Sequence, residues 1–385
     1  MIDAKRITEN LKTFSFPRLS GTEGERKAFK IAHEKINELK LKSEIQEFNF
    51  STYFGRIYAK IAFSLGFVLL LILYLNIESI FFLATIIIIL IIFLYLFLIA
   101  RYPEKINFGK KLNSQNIFVK ISQKVEEQEK NHRNVFFLCH LDSKGQRFSI
   151  LMRIRTIRTW VFSAGAAIFI IILKNYVITQ FSLFLYIIGA IPLFINLFAT
   201  FIINLNATNN ISKGAIDDGS GIAVVLELLN YYSNSEHHFN SDNLWFVFTG
   251  AEECGTMGIR HFYNNEIRNF DRNYSIPFNF DAIGKSIYMF PNKNLTKTNG
   301  KFLSLFVKNT KELNIKRNPK KIYFGSHSDG YFLKKKKFIG IGFGDMDSYK
   351  YIHSINDTID KVNPNLLAGL CKAITTTLKD LDFSS

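Results

Sequence analysis

The chain has 385 residues, three cysteines, 39 phenylalanines and a formal charge of +16, and 48% of it is apolar. That is enough for one or two domains with a large core. Cys139, Cys254 and Cys371 are far apart, odd in number and without metal-ligand spacing, which argues against a disulfide framework and fits a reducing compartment. The basic charge lacks Arg/Lys–aromatic interleaving and zinc-finger spacing, so nucleic acid is not expected, and a Lys-rich solvated surface or attraction to an anionic membrane remains.

In chain order, the first segment, MIDAKRITENLKTF, is amphipathic and has no apolar stretch of the signal-peptide kind. Gly21–Lys42 reads as a helix and Ser43–Phe50 as a strand. Four apolar runs follow in two pairs: Ile57–Leu75 with Ser79–Ile99, and Thr159–Leu173 with Phe181–Ile203. About 20 residues at 1.5 Å each cross a hydrocarbon core of roughly 30 Å. Thr159–Leu173 is short, and Thr156 and Ile157 can extend it. Two helical hairpins return the chain each time to the side it left, so residues 1–56, 101–157 and 205–385 share one side. The ends on that side carry Arg56, Lys60, Arg101, Lys105, Arg153, Arg155, Arg158 and Lys213, whereas the tips offer Lys174. The bias of Lys and Arg toward the cytoplasm then places the polar parts there, in a multi-pass membrane protein.

The polar parts alternate strand with helix. Asn116–Ile121, Val135–Leu138, Leu244–Phe248, Tyr274–Phe280 (broken by Pro277), Ile322–Phe324 and Phe338–Phe343 read as strands. Ile222–Tyr232, Met257–Ile267, Gly300–Leu313 and Leu366–Leu378 read as helices. The expected class is α/β, with a mostly parallel or mixed sheet sandwiched by helices and interrupted by two transmembrane hairpins. The expected organisation is a catalytic domain from residues 1–56, 101–155 and 205–385, with hairpins at 57–100 and 156–204.

In such sheets chemistry collects at the carboxyl ends of strands, and the polar clusters fall there. FFLC leads to His140 and Asp142, WFVF to Glu252 and Glu253, IPFNF to Asp281, and FIGIGF to Asp345 and then His353. His140, Asp217, Glu253, Asp281 and His353 form a nitrogen and carboxylate donor set. It suits one or two zinc ions, or manganese or cobalt, with one carboxylate able to bridge a pair. Asp142 is placed to accept the second ring N–H of His140. In 214-GAIDDGSG-221, Asp217 or Asp218 has a second reading as the cap of the following helix. His132, His237 and His238 read as surface residues, while His327 lies beside the expected site.

The motifs 140-HLD-142, 214-GAIDDGSG-221, 249-TGAEECG-255, 280-FDAIG-284 and 353-HSINDTIDKV-362, in that order, resemble the co-catalytic zinc aminopeptidases, metallopeptidase family twenty-eight of clan MH. Phe16–Phe50 is similar to the family's first helix and strand, so the resemblance covers nearly all of the polar sequence and implies a zinc-exopeptidase fold. It implies that His140, Asp217 and Asp281 hold one metal ion and Asp217, Glu253 and His353 a second, with Asp217 bridging. It implies Glu252 as general base toward a metal-bridging water, Asp142 as the residue orienting His140, and removal of N-terminal residues from a peptide substrate. The chain departs from the family in carrying hairpins inside the catalytic domain, in offering Tyr351 only two residues before His353, and in placing His327 before Asp329 in 326-SHSDG-330.

Two other functions compete. One is glutaminyl-cyclase-like amide chemistry on a single zinc; the other is a non-catalytic membrane scaffold or receptor, which the full set of ligands disfavours. The hairpins are open to three roles: tethering to the lipid bilayer, packing of a homo-oligomer, or bringing the site to membrane-borne peptides. A cysteine introduced at Asn76 is expected to react with impermeant reagents from the non-cytoplasmic side; labelling from the cytosol alone reverses the orientation.

Overall fold

The computed structural model describes residues 1–76, 80–122, 133–239, 242–291, 294, 300–317 and 328–382. The strand expected at 322–324, His132 and His327 lie outside the described residues. The chain divides into two compact units. One comprises Met1–Phe50, Leu112–Gly145 and Asn209–Ser385; the other comprises Ser51–Lys111 and Gln146–Thr208.

The first unit is built on an eight-stranded sheet. Its strands are β1 (Glu44–Ser51), β2 (Lys111–Ile121), β3 (Arg133–His140), β4 (Asp242–Thr249), β5 (Ser275–Phe280), β6 (Tyr288–Pro291), β7 (Lys316–Arg317) and β8 (Ile341–Gly344). Their spatial order is β1-β2-β4-β3-β5-β8-β6-β7. The central strands β4, β3, β5 and β8 are mutually parallel, and β2 and β6 run antiparallel to their inner neighbours. The sheet is therefore mixed, with a parallel centre.

The central strands carry near-continuous apolar runs because both faces are covered. Successive side chains alternate between faces. Phe136 and Leu138 join Phe118, Trp245, Val247 and Phe262 in one cluster. Phe137 points the other way, stacking on Phe278 and Tyr232 and packing against Phe246. Around the sheet lie α1 (Ala4–Phe14), α2 (Glu23–Glu38), α3 (Ser220–Tyr232), α4 (Met257–Phe262), α5 (Gly300–Asn309), α6 (Asp329–Lys335) and α7 (Pro364–Asp382). The amphipathic start of the chain becomes α1. Asp3 caps it, Ile7, Leu11 and Phe14 are buried, and Arg6 pairs with the buried Glu227 of α3.

Pro277 does not break β5. The strand pairs with β3 across Pro277, and its pairing with β8 begins only at Phe278. Gly340 fits where an added Cβ would lie 2.0 Å from the Pro277 carbonyl oxygen. The missing proline donor therefore falls where the β8 ladder has not yet started, and strand β8 begins at Ile341 rather than at Phe338.

Among the described residues the second unit holds four helices long and apolar enough to cross a membrane: Phe54–Leu75, Ile80–Ala100, Ile150–Val177 and Ser182–Leu205. The third is longer than its apolar run because Ser149 caps it upstream and Arg153, Arg155 and Arg158 continue the same helix. A polar seam ties the third and fourth helices. Trp160 Nε1 donates to Thr200 Oγ1 at 2.9 Å, and Asn196 Nδ2 donates to the Trp160 carbonyl at 2.8 Å and to Ser163 Oγ at 3.0 Å. Lys174 donates to the Tyr74 carbonyl at 2.8 Å and lies over the Tyr74 and Tyr186 rings. Its charge thus meets the carbonyl end of the first helix.

Phe137→Ala is expected to cost about 3–5 kcal/mol, because Phe137 is wholly buried at the centre of the sheet. Ile45→Ala, on half-exposed β1, should stay within about 0.5 kcal/mol. Chemical denaturation of the detergent-solubilised protein measures both.

Candidate metal centre

Because β3, β4, β5 and β8 are parallel, their carboxyl ends share one edge of the sheet. His140 is the last residue of β3, Asp281 directly follows β5, Glu252 lies three residues beyond β4, and the loop after β8 leads to His353. Sharp reversals turn these residues back over the edge. Ala251, Ala282 and His353 adopt left-handed backbone, with φ of 50°, 58° and 61°. Side chains disfavour that region, and such conformations cluster at functional sites.

Asp217 joins the groups. Its Oδ1 is 3.1 Å from His140 Nε2 and its Oδ2 is 3.1 Å from His353 Nε2. Asp281 Oδ1 lies 3.9 Å from the same His140 nitrogen, and Glu253 Oε1 lies 2.8 Å from the same His353 nitrogen. Two three-residue groups result, His140–Asp217–Asp281 and Asp217–Glu253–His353, each with its candidate ligand atoms within 4.8 Å of one another. His140 Nε2, Glu252 Oε1 and Glu253 Oε1 are buried and make no hydrogen bond. Buried polar atoms are ordinarily paired, and a divalent ion in each group would satisfy the histidine and Glu253. The donor set, imidazole and carboxylate without thiolate, fits zinc.

Burial dominates the electrostatics. It pushes the Glu252 carboxyl well above the usual carboxylate range, with Glu253 and Asp281 adding repulsion. It raises Asp281 to about 7, with Asp217 adding to the rise. Burial would raise Glu253 as well, but the charges of His353 and Lys144 outweigh it and bring Glu253 down to about 2. Burial acts likewise on Asp217, where the close approach of both imidazoles wins and holds it below the carboxylate range. Two adjacent glutamates thus sit in opposite environments. The charges of His353 and Lys144 favour the Glu253 anion, and burial raises the proton affinity of Glu252.

Asp142 does more than the sequence suggests. Its carboxylate accepts from the main-chain N–H of Glu252 at 3.0 Å and of Glu253 at 3.1 Å, and from the Ser20 hydroxyl. His140 Nδ1 lies 3.1 Å from the Asp142 main-chain carbonyl and 3.4 Å from its Oδ1. Asp142 therefore fixes the glutamate turn with its side chain, and the closest contact to the imidazole is its main chain. The two aspartates of the GAIDDGSG motif also divide. Asp218 accepts from the main-chain N–H of His140 at 3.1 Å and of Gly221 at 2.9 Å, which caps α3, while Asp217 faces the two histidines.

Several supporting residues carry no local sequence signal. Arg18 is fully buried, and its guanidinium donates to the carbonyls of Phe14, Phe16, Leu141, Lys213 and Gly214. Gly214 has φ of 59°, and an added Cβ there would lie 2.9 Å from Arg18 Nη2 and 2.6 Å from Ser143 Cβ. Glu25 accepts from the Ala251 N–H at 2.8 Å, and Asp357 accepts from the Ile216 N–H at 2.6 Å. Asp329 of the SHSDG segment accepts from Thr249, and its buried Oδ1 makes no hydrogen bond. Asp345 stands at the same sheet edge but is spent on Ser286, Ser348 and the Asp347 N–H, outside both groups. Tyr351 has its ring against the ammonium groups of Lys350 and Lys361. His237 stacks on Tyr231, and His238 contacts the Tyr232 carbonyl; both are half-buried.

The sequence profile described as peptidase family M28 matches residues 199–378. A search of curated proteins finds no match. Among solved structures, an aminopeptidase from Aneurinibacillus sp. strain AM-1 is similar at a TM-score of 0.57 and 14% identity, covering 98% of this chain and 94% of that one. A zinc aminopeptidase from Bacillus subtilis gives 0.56 and 14%, covering 99% and 96%. A glutaminyl cyclase from Fimbriiglobus ruber gives 0.54 and 13%, covering 98% and 95%. At these identities the structures speak for the fold.

Asp217→Asn removes the carboxylate shared by both groups. The variant, dialysed beside the wild type and analysed for metal, is expected to retain less than half as much zinc.

Proposed function

We propose, from the match of residues 199–378 to the profile of peptidase family M28, that the chain is a membrane-anchored, metal-dependent aminopeptidase. The observation that carries this reading is the Asp217 carboxylate, with one oxygen beside each histidine. The four apolar helices support anchoring in a lipid bilayer, and the Lys and Arg bias supports a site open to the cytoplasm.

His140, Asp217 and Asp281 would hold one ion, and Asp217, Glu253 and His353 a second. Divalent ions held there, zinc first among them, would supply Lewis-acid polarisation of the scissile carbonyl and an acidified water. The chain's own residues do the rest. Glu252 Oε1, buried and without a hydrogen-bond partner, takes the proton from the attacking water and returns it to the departing amine nitrogen. A carboxyl whose proton affinity burial has raised is suited to both transfers. Asp142, through the two N–H groups it accepts, keeps Glu252 and Glu253 on their separate tasks. Asp218 and Asp357 hold the two ends of the segment that presents Asp217.

The glutaminyl cyclase among the structural neighbours supports a second reading, amide chemistry on N-terminal glutamine with one ion. The products separate the two: a released amino acid for the peptidase, ammonia and a cyclised N-terminus for the cyclase. The retained glutamate pair and full ligand set speak against a non-catalytic scaffold.

Glu252→Gln is expected to lower kcat on aminoacyl-amide substrates about 10²–10⁴-fold while metal content stays at the wild-type level. If wild type carries no metal and the variant matches it on every substrate, the enzyme reading is wrong.

A further inference from the structure

The unit that holds the apolar helices carries charge it cannot balance by itself. Residues 51–111 and 146–208 contain eleven Lys and Arg against two acids, Glu78 and Glu104, and of the cations Lys174 alone lies near the helix tips. Arg56, at the start of Phe54–Leu75, is the most exacting of them. Its Nε and Nη2 are buried and make no hydrogen bond. Among the described residues no carboxylate lies within ion-pair distance of it. Buried polar atoms are ordinarily paired, and leaving a charged one unpaired costs more than leaving a neutral one.

The helices bring further cations to the same end. Phe63 of the first helix meets Trp160 of the third edge to face at 5.0 Å, and an added Cβ on Gly66 would lie 2.8 Å from the Trp160 ring. Further along, Lys174 reaches the Tyr74 carbonyl at 2.8 Å. The contacts climb both helices together, so the two run in the same direction. Seven residues make about two turns. Arg56, seven before Phe63, and Arg153, seven before Trp160, therefore stand on the facing sides of the two helices, below that contact. Lys60, one turn above Arg56, donates to the Asn204 carbonyl at 2.8 Å and draws in the end of the fourth helix. All three cations are half-buried. Like charges gathered partly out of water repel strongly, and an anion among them reverses the sign.

Resting on the membrane-anchored reading above, and not on the chemistry of the metal groups, we infer that Arg56 is the centre of a binding site for the phosphate of an anionic phospholipid, with Lys60 and Arg153 adding charge. A guanidinium presents parallel N–H donors that match two oxygens of one phosphate. The ends of helices long enough to cross a hydrocarbon core lie at headgroup level, where basic pockets between helices take such lipids. Ile57, beside Arg56, is 40% exposed and offers apolar surface to an acyl chain. The bound lipid supplies the negative charge that two acids against eleven cations leave missing, and it fastens the first helix to the third.

The test is lipid binding to the full-length chain, delipidated in mild detergent and titrated with phosphatidylglycerol, phosphatidylcholine or inorganic phosphate. Native mass spectrometry counts bound lipid, and thermal unfolding reports the helical unit. Wild type is expected to retain phosphatidylglycerol in preference to phosphatidylcholine and to unfold at a higher temperature with it. Arg56→Gln should weaken that binding about 10–100-fold, the loss expected for a hydrogen bond to a charged group. Arg56→Lys, which keeps the charge but not the fork, should fall between the two. Arg155→Gln, on the third helix but off the Arg153 side, should match wild type. The site is overturned if wild type binds both lipids equally, if both Arg56 variants bind phosphatidylglycerol as wild type does, or if inorganic phosphate stabilises as well as the lipid. The comparison of lipids on wild type stands even where a variant does not fold. A chain recovered in the soluble fraction without detergent sinks the anchoring itself, so the two failures are distinct.

Discussion

The structure turns on one electrostatic constraint: a crowd of carboxylates gathered, out of water, at the carboxyl edge of a parallel sheet. Asp142, Asp217, Asp218, Glu252 and Asp329 are all buried, and Asp281 and Glu253 stand among them. Buried charges of one sign are tolerated only when paired, hydrogen-bonded or neutralised by a proton. Each solution is used. Asp217 and Glu253 meet histidines, Asp142 and Asp218 collect main-chain N–H groups, and burial raises the proton affinity of Glu252 and Asp281. Among the described residues the fixed cations touching this region are few, and the metal proposed above would supply the charge that they do not.

That constraint explains features which otherwise look unrelated. Arg18, a full charge buried among main-chain carbonyls, sits where Asp357, Asp218, Asp142 and Asp217 all act on it. It ties the segments before β1, after β3 and before α3 into one frame and offsets part of their negative charge. Left-handed turns at Ala251 and Ala282, each two residues past a strand end, follow from the need to fold that end back over the sheet edge, and His353 has the same backbone in the longer loop after β8. The cost of such backbone is of order 1–3 kcal/mol each, and the strands beneath, buried on both faces, are stable enough to bear it.

Both long insertions respect the same frame. Residues 51–111 join β1 to β2, which are neighbours in the sheet, and the second insertion leaves at Gly145 and returns at Asn209, which touch. An insertion whose ends are adjacent asks little of the fold that hosts it. The apolar helices carry their own internal order through the Trp160–Thr200 and Asn196–Ser163 bonds, as polar groups in an apolar setting must.

Much of this was legible in the sequence, for physical reasons. Strands buried on both faces need unbroken apolar runs, so β3, β4 and β5 announce themselves, as do helices long enough to cross a membrane. Chemistry at strand ends needs acids and histidines there, so His140, Glu252, Glu253, Asp281 and His353 stand out one by one. Other matters were decided only by tertiary structure, because they depend on residues distant in the chain. Which aspartate of the pair at 217 and 218 faces the histidines and which caps α3 follows from where His140 and His353 arrive. That β5 runs through Pro277 follows from where β8 begins to pair. That Asp142 spends its carboxylate on the glutamate turn, that Arg18 is buried, and that Lys144 meets Glu253 across 109 residues are long-range pairings. Composition and periodicity record which faces are apolar and where charge clusters; they carry no record of which partner a charge will find.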